Sequence, residues 1–103
     1  MTEQILFNYL NRLVNALFKI IPMYEDQDES LPTYICSLRD ELRGADGIMA
    51  LMDNNPIFFS IISNLQFFVD EPGCGLPAVR RGVFRSIRHC KDLMRLYCGE
   101  GVL

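Results

Sequence analysis

The residues best placed to do chemistry lie near the C-terminus. Arg80, Arg81, Arg85, Arg88, Lys91 and Arg95 fall between positions 77 and 98, against Asp92 alone. At helical spacing they share one face about 140° wide. All but one are arginine, whose planar guanidinium makes bidentate contacts with carboxylate or phosphate that an ammonium cannot. Phe84 falls among them, a quarter turn or more from the apolar seam of the same segment. An aromatic set among arginines is the composition of a protein-interface hot spot, and it could also stack on a base. The competing reading is a solvated bundle face with Phe84 tucked against a neighbouring helix. A Coulombic clasp on the acidic stretch Met23–Ser30 would be a third, structural use of the same charges.

Other constellations are weaker. Cys36, Cys74, Cys90 and Cys98 include no CxxC pair, the spacing that marks most cysteine metal sites. His89 and Cys90 are adjacent, so on a helix they point about 100° apart, which disfavours zinc. Cys36 and Cys90 fall on apolar helix faces and read as small core residues. Cys74, between Gly73 and Gly75, reads as a loop thiol. Glu25, Asp26, Asp28 and Glu29 lack the alternate spacing, central glycine and closing glutamate of a calcium loop. No Glu-x-x-His pair suggests a di-iron bundle. GxSxG, P-loop and GxGxxG signatures are missing as well. The expectation is a protein that is not an enzyme and needs no metal or organic cofactor.

Charge is segregated along the chain. Residues 1–76 hold four basic and eleven acidic residues, a balance of −7, whereas residues 77–98 carry +5 and Glu100 brings the total to −3. With a sequence pI near 5.0, the chain lacks the overall basicity usual in nucleic-acid binders. Half of its residues are hydrophobic, which argues against disorder. No apolar run approaches the roughly 20 residues of a membrane span. The N-terminus has Glu3 and Gln4 where a signal peptide would be basic. The expected compartment is therefore the cytoplasm, with reduced thiols.

The elements that must position these residues are helical. The chain has the length of one domain. Gln4, Asn8, Asn11, Arg12, Asn15 and Lys19 form a polar stripe about 100° wide on a first helix, residues 2–21, stopped by Pro22. So narrow a stripe implies neighbours on two sides or an oligomer interface. Ser30 as N-cap and Pro32 open a second helix, residues 32–53. Its seam of Leu31, Ile35, Leu38, Leu42, Ala45, Met49 and Met52 runs through Gly44 and Gly47. The rival is two short helices with Gly44 as a C-terminal cap. Asn55-Pro56 opens a third helix, residues 56–69, apolar nearly all round and expected to be the most central element. The fourth, residues 77–98, has Val79, Val83, Ile87, Cys90, Met94 and Tyr97 as its core face. Residues Gly99–Leu103 are expected to fray.

The expected fold is all-α, a four-helix bundle or close relative. The expected function is a small interaction or regulatory protein that binds an acidic protein surface through its last helix. A homo-oligomeric structural unit is the first alternative and a nucleic-acid accessory role the second.

Overall fold

A computed structural model describes residues 2–98; the expectation for Gly99–Leu103 lies outside the described residues. The elements are α1 (Thr2–Phe18), α2 (Ile20–Glu25), α3 (Leu31–Arg43), α4 (Asp46–Leu51), α5 (Pro56–Asp70) and α6 (Leu76–Tyr97). No strand occurs among the described residues, and the chain folds as a small all-α bundle. Its four long helices are α1, α3, α5 and α6. In space α1 packs on α6, α6 on α5, and α5 on α3, while α2 bridges α6 and α3. The ring closes where the Tyr34 hydroxyl donates to the Ala16 carbonyl at 2.8 Å. On this looser α1–α3 side a cleft of about 190 Å³ opens between Tyr9, Arg12, Leu38 and Glu41.

Two of the expected helices are interrupted. The first does not run unbroken to Ile21 and then stop at Pro22. It breaks at Lys19, and a further turn carries on through Pro22 to Glu25. The cause is local: Pro22 has no N–H to give the Phe18 carbonyl four residues earlier, and its ring crowds that carbonyl. Within the first turn of α2 the same missing donor costs nothing. The first three residues of the acidic stretch Met23–Ser30 are thereby helical. Gln27, at φ 53°, turns the chain out of α2, and the Asp28 N–H closes the turn on the Met23 carbonyl.

The second helix is likewise not continuous over residues 32–53. It ends at Arg43 and resumes at Asp46. The rival of two helices holds, with Gly44 at the C-cap of α3, though at φ −91° and not in the left-handed conformation. The Gly44 N–H still bonds Asp40, but Ala45 bonds Leu42 in a tighter turn and leaves the helical region at ψ 53°. The seam survives the break. Leu31, Ile35, Leu38, Leu42, Met49 and Met52 are all buried, and Ala45, at the break itself, is half-buried.

Capping differs at one of the two expected sites. Asn55 caps α5, its side chain accepting from the Ile57 N–H at 2.9 Å. Ser30 makes no side-chain cap on α3. Its N–H and hydroxyl both donate to the Asp28 carboxylate, at 2.8 and 2.6 Å. These bonds hold the Asp28 pKa below its ordinary value.

The central element is α6, not α5. It packs against α1, α2 and α5, while α5 packs chiefly against α6 and α3. The α5–α6 contact is close: a Cβ built on Gly82 would sit 2.5 Å from the Phe68 ring. One turn on, Asn64 donates to the buried Ser86 hydroxyl at 2.8 Å. At the bundle ends, Asn55 donates to the Tyr97 hydroxyl at 2.9 Å. The Gly75 N–H donates to the Tyr24 hydroxyl at 3.1 Å. Across α3 and α5, Gln66 accepts from Arg39 and Arg43 and donates to Asp70.

These features give opposite outcomes for two glycines. Gly82→Ala should cost about 1–3 kcal/mol, because the added Cβ would meet the buried Phe68 ring at 2.5 Å and force it out of its place. Gly44→Ala should be neutral or stabilising by up to about 1 kcal/mol, because its φ suits any L residue and its Cβ meets only ordinary contacts. The Tyr9 hydroxyl is buried with no hydrogen-bond partner among the described residues. Tyr9→Phe should therefore be neutral or stabilising, since it removes a desolvated, unpaired group. Urea unfolding midpoints of the three variants check all three signs.

Candidate functional site

Residue by residue, α6 divides into two faces. Val79, Val83, Ser86, Ile87, Cys90, Leu93 and Met94 are buried. Tyr97, the last residue of the expected core face, is half-buried. Arg80, Arg81, Arg85, Arg88, Lys91 and Arg95 are all exposed, and Phe84 with them. The helix brings these seven side chains to one side, as their spacing requires. Arg95 pairs with Asp92 at 3.0 Å, an exposed contact that contributes little. Among the described residues the other five cations have no carboxylate partner within salt-bridge distance. A clasp on the acidic stretch 23–30 therefore does not form, although α2 packs against α6. His89 sits half-buried at the edge of this face.

Phe84 is 51% exposed. Its ring meets Phe18 edge-on, with centroids 6.2 Å apart and planes at 73°. Phe18 is itself 45% exposed. The contact is that of an aromatic pair, and it leaves about half of each ring to solvent. Phe84 is thus neither free nor core: α1 props it in place among the arginines. Sequence reasoning missed Phe18. The available signal was its position at one edge of the polar stripe of α1, where a helix packed on its other side turns toward water.

Compared with protein-family models, curated proteins and solved structures, the chain matches none.

A second feature was not legible in the sequence. A cavity of about 620 Å³ lies between α2, the N-terminal half of α3, the C-terminal end of α5 and the start of α6. Ile20, Leu31, Ile35, Phe68 and Val79 form its apolar floor, and Glu25, Asp28 and Glu71 stand at its mouth. No single segment carries a pattern that would announce it, since each element contributes only a few residues.

The thiols divide by environment. All four cysteines are free; Cys36 and Cys74 are half-buried and line this cavity, while Cys90 and Cys98 are buried. Cys74, expected in a loop, precedes the N-cap of α6 and is only partly accessible. Burial pushes the Cys90 thiol up to about 12 and raises that of Cys98. Burial, assisted by the nearby charge of Glu41, also pushes Tyr9 up to about 12. Among the described residues no group of three or more His, Cys, Asp or Glu side chains could hold a metal ion. Among the same residues no helix is long and apolar enough to cross a membrane.

Alkaline pH should therefore destabilise the bundle in a defined window. An unfolded cysteine ionises near about 8.5 and an unfolded tyrosine near about 10, whereas folded Cys90 and Tyr9 hold their protons to about 12. The contribution is complete below the unfolded values and is lost as pH climbs toward 12. Urea midpoints should fall between about pH 8.5 and 12, and fall less steeply in Cys90→Ala. Under native conditions iodoacetamide should modify Cys36 and Cys74 well before Cys90 and Cys98, as mass spectrometry of the peptides would show.

Proposed function

We propose that the protein is a binding module that docks an acidic surface of another protein through the outer face of α6. The observation that carries this reading is the Phe18–Phe84 pair. Two large rings half exposed beside five uncompensated cations are costly to leave in water, and they are the composition of an interface hot spot. Charge would steer the encounter, and the rings would supply the desolvated contact. The segregated charge supports an acidic protein over nucleic acid: the rest of the chain is acidic and would repel a long polyanion, but not a local acidic patch.

Self-association is the second reading, favoured by one observation. The exposed cations of one copy could meet the acidic residues 25–29 of another, since within a chain the two do not pair. Light scattering across a range of concentrations separates it from the first.

The test uses affinity capture from the native cell followed by titration of the purified partner. Arg85→Glu with Arg88→Glu should weaken binding about 100-fold or more with the circular dichroism melt unchanged, both side chains being exposed. Phe84→Ala should weaken it about tenfold or more, with little dependence on salt. Binding that survives the charge reversal would place the interface elsewhere on the bundle. Capture that disappears after nuclease treatment would replace the protein partner with nucleic acid.

A further inference from the structure

The cavity between α2, α3, α5 and α6 lies apart from the residues proposed to bind a partner. Its volume of about 620 Å³ is that of a small-molecule site. Its floor is apolar: Ile20, Leu31, Ile35, Phe68 and Val79 are buried, and the Tyr24 hydroxyl at its wall accepts from the Gly75 N–H. Its mouth is of one sign. Glu25, Asp28 and Glu71 line it, and no Lys, Arg or His does. Asp28 is fixed there by two bonds from Ser30, and neither Glu25 nor Glu71 has a cationic partner within salt-bridge distance among the described residues.

We infer that this cavity is a binding site for a small amphiphilic cation, an aliphatic or aromatic body bearing one ammonium group. The body would lie on the apolar floor, where its hydrocarbon surface leaves water. The ammonium would stay at the half-open mouth beside three carboxylates, hydrated but attracted. A carboxylate or phosphate head on the same body would meet repulsion from all three and find no donor side chain of opposite charge. A neutral head would gain only the apolar term. The site therefore discriminates by the charge of the head group more than by the shape of the tail. Cys36 and Cys74 lie within its lining, so occupancy should shield both thiols.

Three probes with one tail separate these terms: decyltrimethylammonium, decanol and decanoate, each below the concentration at which it self-associates. Titration calorimetry on the full chain should give one decyltrimethylammonium per molecule. Affinity should fall through decanol to decanoate, the extremes differing about tenfold or more. The cation should also slow alkylation of Cys36 and Cys74 while leaving the unfolding-limited labelling of Cys90 slowed only by added stability. Glu25→Gln with Glu71→Gln, both exposed positions, should bring the cation and the neutral alcohol to within about threefold of each other. Raising salt should narrow the same gap. Decanoate binding as tightly as the cation would overturn the proposal. So would a cation that binds without protecting the thiols, or one that does not saturate at all. None of these outcomes depends on α6's outer face, and Arg85→Glu with Arg88→Glu should leave cation binding in place.

Discussion

The bundle depends on the closeness with which α5 and α6 meet at Phe68 and Gly82. Because residue 82 lacks a side chain, the ring can lie against the backbone of α6 and still be buried itself. That single approach sets the spacing of α5 and α6. It also aligns Asn64 with Ser86 one turn along, so the buried Ser86 hydroxyl finds its partner. Phe68 contributes to the cavity floor as well. The rotation of α6 that turns Gly82 and Val83 inward necessarily turns Phe84 and the arginines outward. Core, cavity and basic face are thus consequences of one contact.

A chain of this size has less interior than it has apolar side chains to fill it. Ile5, Phe18, Phe59, Phe67, Phe84 and Leu96 are left exposed. On α1, Phe18 and Ile5 border the two edges of the polar stripe, so the face in contact with water is wider than the polar residues alone define. Within the bundle α1 touches α6, α2 and α4. Scattered apolar exposure is ordinary. What distinguishes Phe18 and Phe84 is that they touch each other and stand beside uncompensated charge.

How far the sequence could be read follows the range of the forces involved. The buried seam from Leu31 to Met52, the Asn55 cap and the division of α6 into apolar and basic faces all came from spacing within one segment, and they stand. The breaks at Lys19 and at Gly44–Ala45 were missed because periodicity reports which face is buried, not whether the axis bends. Pro22 did carry the signal, but its effect falls one turn upstream, on the carbonyl it cannot satisfy. Ser30 looked like a cap because its type suits one; Asp28, two residues earlier, competes for the same groups. The central place of α6 and the existence of the cavity depend on which helices meet, which no local pattern encodes. The same is true of Phe18, whose role is set by a residue sixty-six positions away.

The antiparallel pairing of α1 with α6 brings Phe18 to Phe84 and Glu3 to the neighbourhood of Cys98. The two extremities of the described chain therefore lie side by side, and the order of assembly follows from this. The α5–α6 hairpin closes over only the five residues between Asp70 and Leu76, so little chain entropy opposes it. The first helix must find α6 across all the intervening elements, the longest loop among the described residues. Topology thus makes α1 the late-docking element. Until it arrives, the apolar face of α6 that α1 covers stands open, and a nascent chain carries that uncovered surface from the completion of α6 until α1 folds back.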